Sequence, residues 1–229
     1  SQYIKYGYVP NQLSIFENIF KVKPGFIYNF GINSFKKKQY WNLQNIISKN
    51  KQNEIKSREE ALKYIEKKIN KSVSMHTFSD RPIGTLLSGG IDSSLVTAIM
   101  QKNSLKKIKT FSIGFHDKKY DEAKFSYMIA KHLNTEHEEF YVSEKEALNV
   151  IQKLPEVYDE PFADTSQIPT TILTKMVRDK VVVALSGDGG DELFAGYNRY
   201  LYISEFYKKL KMMPFSFRKL FSNIITKLP

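Results

Sequence analysis

The sequence contains no cysteine, and this absence excludes several kinds of chemistry within its 229 residues. Without a thiol, the chain has no disulfide, no thiolate zinc site and no cysteine nucleophile. It also lacks an apolar run of the roughly 18 residues that a membrane-spanning helix requires, so we do not expect a membrane partner. The first ten residues do not have the charged and apolar regions of a secretory signal. These features fit a protein of the reducing cytoplasm.

Arginine is scarce, although the formal net charge is +11. Arginine recognises phosphate and guanine in a bidentate manner, whereas lysine acts as a point charge. A lysine-rich excess that is spread along the chain is typical of a solvated surface. We therefore do not expect a nucleic-acid partner.

The chain divides into two regions joined by a polar linker at residues 46–56. In residues 1–45, turn residues surround the strand-like segment Phe26–Phe30, which predicts a small hairpin. The segment Ser14–Phe20 predicts a short helix. Residues 57–229 begin with the pattern of a helix-capping box at Ser57 and Glu60. Apolar residues then recur at Leu62, Ile65 and Ile69, which predicts a helix.

The second region predicts a doubly wound α/β fold with a parallel sheet. Strand segments such as VVVAL (181–185) are unbroken runs of apolar, mostly β-branched residues, which favours burial on both faces of the sheet. One side of the helix at 121–133 is expected to carry Ala123, Tyr127, Ala130 and Leu133. Predicted helices and strands alternate along the chain, with strands at 83–87, 109–115, 138–142 and 181–187 and helices at 92–102, 121–133, 143–154 and 168–180.

Similar glycine-rich loops follow two of these strands, in LLSGGIDSS (86–94) and ALSGDGGDE (184–192). Glycines let backbone amides approach a phosphate, and the helix that follows adds its unpaired amides and positive dipole end. Asp92 and Asp191 suit such a site if Mg²⁺ bridges them to the phosphates. Ligands bind at the carboxyl ends of parallel strands, so we expect both loops at one nucleotide site. A turn capped by Asp92 and Ser93 is the purely structural alternative for the first loop.

The loops match neither a Walker motif, which needs Gly-Lys-Ser/Thr, nor a dinucleotide fingerprint. SGGIDSS instead resembles the pyrophosphate loop (PP-loop) of ATP pyrophosphatases, which cleave ATP between its α- and β-phosphates. Together with DEPFADTS (159–166) and SGDGGDE, it resembles glutamine-dependent asparagine synthetase from about residue 57 to the end of the chain. Residues 1–45 resemble the last part of that family's N-terminal glutaminase domain. The implied fold is a PP-loop sheet of the adenine nucleotide alpha-hydrolase type.

The resemblance implies roles for the residues that match family motifs. Mg²⁺ would be bound by Asp92 and Asp191, which with Asp188 would be catalytic. The substrate side would carry Asp188, Tyr197 and Asp164, although many family members have Glu where this chain has Asp188. The implied ATP-binding residues are Leu86, Ser88, Gly89, Gly90, Asp92, Ser93, Ser94, Ile113, Gly114, Ser186 and Gly187.

The implied reaction converts aspartate to asparagine through β-aspartyl-AMP and releases AMP and pyrophosphate. In the family, an N-terminal cysteine hydrolyses glutamine to supply ammonia, and lysines of a C-terminal helical region complete the active site. Residues 1–229 contain neither that cysteine nor that region, so we expect no glutamine hydrolysis and at most weak ammonia-dependent activity from them. A homodimer is compatible with the resemblance.

Other functions remain open at this point. The chain could amidate another carboxylate, such as a sugar or β-lactam precursor, or cyclise a β-amino acid. It could also be an inactive nucleotide-binding fragment. RNA thiolation fits less well because many such enzymes use a cysteine. His132 and His137 could be considered as metal ligands. Two histidines alone do not make a ligand cluster, however, and we expect structural roles for them.

Overall fold

The computed structural model describes residues 2–10, 12–51, 54–116 and 121–225. No helix in these ranges is both long and apolar enough to cross a membrane. In chain order, the elements are α1 (Gln2–Tyr6), β1 (Phe26–Gly31), β2 (Ser34–Gln39), α2 (Leu43–Asn50), α3 (Arg58–His76), β3 (Ile83–Leu86), α4 (Ile91–Lys102), β4 (Lys109–Phe115), α5 (Ala123–Leu133), β5 (Glu136–Val142), α6 (Glu144–Ile151), α7 (Leu154–Val157), α8 (Gln167–Val177), β6 (Val183–Leu185), α9 (Gly190–Phe194), α10 (Asn198–Lys211) and α11 (Phe215–Ile225).

The central sheet has four strands in the order β5-β4-β3-β6, and every pairing in it is parallel. β3, the first of these strands in the chain, lies inside the sheet, with β4 on one side and β6 on the other. The strand order therefore reverses between β3 and β6. Such a reversal leaves a crevice at the carboxyl ends of the two strands, where open α/β sheets bind their ligands.

The apolar core is divided between the two faces of this sheet. Ile83 and Leu86 of β3 pack against different buried clusters, and alternate strand positions point to opposite faces. Helices thus cover both faces, which confirms the predicted doubly wound α/β fold. The cluster on one face contains Val73, Ile99, Met100 and Ile108, and that on the other contains Phe111, Leu173, Val177 and Val181.

The N-terminal region confirms the predicted hairpin but not the predicted helix. β1 and β2 pair in an antiparallel manner with Phe26 opposite Gln39. Ser14–Phe20 is a turn instead of a helix. Leu13 forms a bridge with Phe20, and Asn18 has a φ of 60°. The Ser14 hydroxyl accepts a hydrogen bond from Phe16 N at 3.0 Å, a local bond that competes with helical pairing.

Two details of the predicted helices also need correction. Ser57 caps α3 by accepting from Glu60 N at 3.4 Å, but its hydroxyl donates to Glu59 Oε2 rather than taking part in a reciprocal capping box with Glu60. In α5, the buried residues are Ala123, Ser126 and Ala130, while Tyr127 is 53% exposed. Ser126 is tolerated inside because its hydroxyl donates to Ala123 O at 2.8 Å.

His137 of the edge strand β5 is held by side chains of the neighbouring strand β4. Its Nδ1 lies 2.9 Å from Thr110 Oγ1 and its Nε2 lies 3.3 Å from Ser112 Oγ. Burial lowers the pKa of His137 below its usual 6.5, and this effect outweighs the opposing attraction of the Glu139 carboxylate. The neutral imidazole is therefore the form that the folded protein favours.

The lowered pKa of His137 predicts that the protein loses stability on acidification. The free energy of unfolding should decrease as the pH falls below 6.5, because the unfolded chain then binds a proton that the folded chain resists. Urea unfolding between about pH 5 and pH 8 measures this slope. His137→Gln should flatten it, and an unchanged slope in that variant would contradict the assignment.

A buried pair of threonines joins β3 to α4. Thr85 and Thr97 are both 0% exposed, and their hydroxyl oxygens lie 3.1 Å apart. Thr97 Oγ1 donates to Ser93 O at 2.7 Å, so its proton is used there and Thr85 is the donor between the two threonines. The pair thereby ties the first turn of α4 to the strand beneath it.

Replacing Thr97 by Val should destabilise the fold by about 1–3 kcal/mol, because the Thr85 hydroxyl would stay buried without an acceptor. Thr174→Val is the matched control. Thr174 is an exposed helical threonine that donates to Thr170 O at 2.7 Å, and its replacement should change stability by less than about 0.5 kcal/mol. Urea unfolding measures both values, and equal effects would refute the special role of the buried pair.

Candidate active site

The two glycine-rich loops lie at the same edge of the sheet. They follow β3 and β6, which are adjacent parallel strands with Thr85 opposite Leu185. The second loop, Ser186–Gly190, rests on the first turn of α4. A Cβ atom on Gly187 would lie 2.6 Å from Ser93 N, and one on Gly190 would overlap the Asp92 carboxyl group. The loops therefore touch, and only residues without a side chain fit at these two contacts.

The first loop, Ser88–Ser94, which includes the first turn of α4, is held by its own serines. The Ser88 and Ser93 hydroxyls lie 2.9 Å apart, and Ser93 Oγ also accepts from Ser88 N at 3.2 Å and contacts Gly90 O. Gly89 has a φ of 80°, a conformation that side chains disfavour. Ser93 is only 7% exposed, so its hydroxyl shapes the loop in this structure. Gly90 precedes α4 without any side-chain cap.

The absence of a cap at Gly90 leaves the first amides of α4 available to a ligand. The Ser94 hydroxyl in the same turn is buried without a hydrogen-bond partner among the described residues. Buried polar groups are normally paired, so this hydroxyl is a further donor that a ligand could satisfy. The first loop therefore has the backbone geometry of an anion site.

The second loop turns back on itself through Asp188. Ser186 Oγ donates to Asp188 Oδ2 at 2.9 Å and accepts from Asp188 N at 3.4 Å. Gly189 has a φ of 90°, and the loop closes with Gly190 N donating to Gly187 O at 3.2 Å. This turn fixes the direction in which the chain enters α9 and hence the position of Asp191.

Asp92 and Asp191 are the carboxylates that could hold a cation. The Asp92 carboxyl group lies against Gly190, the neighbour of Asp191, and the Asp191 side chain lies against Gly196. In the described ranges, neither carboxylate takes a hydrogen bond or an ion pair, and no group of three or more His, Cys, Asp or Glu residues could hold a metal. Two unpaired carboxylates on touching loops fit Mg²⁺, which takes its other ligands from phosphate and water.

A cavity of about 640 Å³ opens beside the second loop. Asp92, Ser186, Gly187 and Asp188 line it. The opposite wall comes from α3, including Lys68 and His76, which the sequence did not indicate as site residues. Ile65 and Ile69, the apolar positions that predicted this helix, also line the cavity. The apolar pattern of α3 could therefore have indicated that this helix packs against the sheet. It does not indicate which strand end the helix lies beside.

Other predicted ATP-binding residues lie on the other side of the strand ends. Leu86 and Ile113 pack against the cluster that contains Phe111, and Gly114 lies against Tyr141 and Asp121. None of the three lines the cavity. Of the predicted ATP-binding residues, Asp92, Ser186 and Gly187 line the cavity, whereas Leu86 and Ile113 pack on the opposite face of the sheet. The predicted residues of the first loop other than Asp92 line neither; they are Ser88, Gly89, Gly90, Ser93 and Ser94.

Two predicted substrate-side residues make local contacts. Tyr197 donates to Glu192 Oε1 at 2.7 Å, which raises the pKa of Tyr197 and lowers the pKa of Glu192. The Arg199 guanidinium lies over the Tyr197 ring, 4.1 Å from its centroid. Asp164 Oδ1 accepts from Ser166 N at 2.9 Å, and this bond lowers the pKa of Asp164. Neither Tyr197 nor Asp164 lines the cavity.

Comparison with known proteins agrees on one family. The family model described as asparagine synthase matches residues 64–226. A protein of Methanocaldococcus jannaschii whose name carries the words asparagine synthetase (glutamine-hydrolyzing) 2 is 36% identical over 213 residues, which cover 91% of this chain and 40% of that protein. Asparagine synthetase (glutamine-hydrolyzing) 1 of Bacillus subtilis is 33% identical over 202 residues, which cover 87% of this chain and 30% of that protein.

A more distant relative points the same way. Asparagine synthetase B (glutamine-hydrolyzing) of Escherichia coli is 31% identical over 143 residues, which cover 55% of this chain and 25% of that protein. The chain therefore spans two-fifths or less of the length of each of these relatives.

The contact between the loops predicts that Gly187→Ala is harmful. Its Cβ would meet the backbone at Ser93, so the loops must separate, at an expected cost of at least about 2 kcal/mol. Gly189→Ala is the matched control. It meets no atom within 4 Å and has only the strain of a positive φ, about 1 kcal/mol.

Amide NMR spectra separate the two variants. Gly187→Ala should shift the Asp92 and Ser93 signals across the loop contact, while the shifts caused by Gly189→Ala should stay within the second loop. Unchanged Asp92 and Ser93 signals in Gly187→Ala would contradict the contact.

Proposed function

Because the chain belongs to the asparagine synthase family, we propose that it carries the ATP-binding and adenylating part of an asparagine synthetase. The observation that carries this proposal is the contact between the loops after β3 and β6, with the unpaired Asp92 carboxylate beside the residue that precedes Asp191. This arrangement suits a nucleotide whose α- and β-phosphates are separated in the reaction. We also propose that the whole protein forms asparagine.

The first loop and α4 hold the pyrophosphate portion of ATP in this proposal. Ser88, Gly89, Gly90, Ser93 and Ser94 supply amides and hydroxyls where the positive end of the helix favours an anion. Ser186 and Gly187 would contact the nucleotide from the second loop. Leu86, Ile113 and Gly114, which lie outside the cavity, would line the adenine and ribose from the other side of the strand ends.

Asp92 and Asp191 would hold Mg²⁺ between the two loops. The bound ion would neutralise phosphate charge, which otherwise repels an approaching carboxylate. Asp188, Tyr197 and Asp164 would lie on the substrate side.

The reaction proceeds in two displacements. The side-chain carboxylate of aspartate attacks the α-phosphorus of ATP, the bond to the bridging oxygen breaks, and pyrophosphate leaves with the electron pair. Ammonia then attacks the acyl carbon of β-aspartyl-AMP, loses a proton and displaces AMP to form asparagine. Because the fixed amides and charges stabilise the developing negative charge, positioning and electrostatics supply most of the catalysis.

The domain division that accompanies this function is also a proposal. Residues 1–45 would be the last part of a glutaminase domain, residues 46–56 a linker, and residues 57–229 the ATP-binding domain. The hairpin of β1 and β2 and the match of the family model to residues 64–226 support this division.

Titration calorimetry tests the nucleotide site. ATP should bind in the presence of Mg²⁺ and much more weakly in its absence. Asp92→Asn should weaken Mg²⁺–ATP binding about tenfold or more, because an ionic ligand becomes a neutral one. Asp80→Asn is the matched control, since Asp80 is exposed and precedes β3 at the end opposite the loops. Equal losses of ATP affinity in both variants, or an ATP affinity that does not depend on Mg²⁺, would contradict the proposal.

The choice of acceptor needs the full-length enzyme. With ammonia present, release of AMP and pyrophosphate should require aspartate. If the release requires another carboxylic acid instead, the enzyme amidates that acid and the proposal of asparagine formation is wrong. The proposed nucleotide site would still stand.

A further inference from the structure

Glu160 connects two parts of the protein that lie far apart in sequence. It belongs to the segment 158–166 between α7 and α8, which we call the acidic loop. Glu160 Oε1 accepts from Ile15 N at 2.9 Å, and Oε2 forms an ion pair with Lys21 Nζ. The Glu160 side chain is only 17% exposed. Both of its oxygens are therefore engaged by the N-terminal region.

Lys21 is itself fixed within the segment that it joins. Its Nζ donates to Val9 O at 2.9 Å, and its backbone N donates to Gln12 O at 2.8 Å. Lys21 thus joins Val9 and Gln12, and Glu160 in turn binds Lys21 from the acidic loop.

A second attachment lies close to the first. Ala163 N donates to Gly7 O at 2.6 Å, so the backbone of the acidic loop pairs directly with the N-terminal segment. Gly7 has a φ of 76°, and a Cβ atom on it would lie 3.0 Å from Ala163 Cβ. The close approach thus depends on glycine. The acidic loop is thus attached to the N-terminal region at two separate points, Glu160 and Ala163.

The acidic loop carries Asp164 and leads directly into α8. Gln167 Nε2 donates to Phe162 O at 3.2 Å, and the Phe162 and Tyr158 rings meet edge to face with centroids 5.0 Å apart. α8 packs into the core through Leu173. The position of Asp164 is therefore set between a core helix on one side and the N-terminal segment on the other.

We propose that Glu160 is a positioning residue that clamps the N-terminal segment 7–21 to the acidic loop and thereby fixes the loop that carries Asp164. Exposed ion pairs usually contribute little to stability, but this carboxylate is largely covered and also accepts a backbone hydrogen bond. The effect of the clamp on substrate binding rests on the proposed function, whereas the clamp itself does not.

Hydrogen exchange on residues 1–229 tests the clamp without requiring activity. Glu160→Ala should accelerate exchange of the Ile15 and Ala163 amides by at least about tenfold, while amides of β4 stay protected. Glu160→Gln keeps an acceptor for Ile15 N but loses the charge, so it should have a smaller effect. Glu138→Gln is the control, because its pair with Lys180, at 2.9 Å, is exposed on both partners.

A double-mutant cycle isolates the ion pair. Lys21→Met also removes the bond to Val9 O and should be the stronger single variant. Combined with Glu160→Gln, it should accelerate exchange no more than Lys21→Met alone, since both changes remove the same ion pair. Exchange at Ile15 and Ala163 that is unaffected by Glu160→Ala would overturn the clamp, as would fully additive effects of the two charge removals.

The full-length enzyme tests the consequence for the substrate. Glu160→Gln should raise the KM for the acceptor carboxylate several-fold and leave the KM for ATP unchanged, whereas general loosening of the fold would change both. Faster exchange with an unchanged acceptor KM would overturn the role of the clamp in substrate binding. If the wild-type enzyme forms no AMP, the proposed function fails and the exchange result still decides whether the clamp exists.

Discussion

The parallel pairing of β3 with β6 is the constraint on which the rest of the site depends. The two strands are separated by about a hundred residues of sequence, yet they are neighbours in the sheet with Thr85 opposite Leu185. Parallel neighbours end at the same edge, so the loops that follow them meet without further adjustment. If β5 instead of β6 were paired with β3, Gly187 would not meet Ser93, and Asp92 would be separated from Asp191.

That contact in turn explains why these loops are rich in glycine and acid. Gly187 and Gly190 lie where any side chain would meet Asp92 or Ser93. The absence of side chains exposes backbone donors, while Asp92 and Asp191 concentrate negative charge beside them. In the proposed function, these donors and carboxylates would together hold a metal–nucleotide complex.

The N-terminal segment packs against the α/β region although the two regions differ in sequence pattern. Residues 7–21 are far from the α/β region along the chain, but Ile15 and Lys21 contact Glu160. Their contacts make the acidic loop a shared element of both regions. These few attachment points can keep the acidic loop, and with it Asp164, in place.

The sequence by itself determined the local elements of this protein. Apolar runs marked the four strands, and Ser143 with Glu146 formed the complete capping box that starts α6. The glycine and aspartate spacing marked both loops. Only the tertiary structure decided that α3 lines the cavity, that Leu86 packs against the cluster containing Phe111 and that Ile15 meets Glu160. Local patterns reflect hydrogen bonds and burial over a few residues. Which surfaces meet depends instead on packing summed over the whole chain, to which distant partners such as Glu160 and Lys21 contribute.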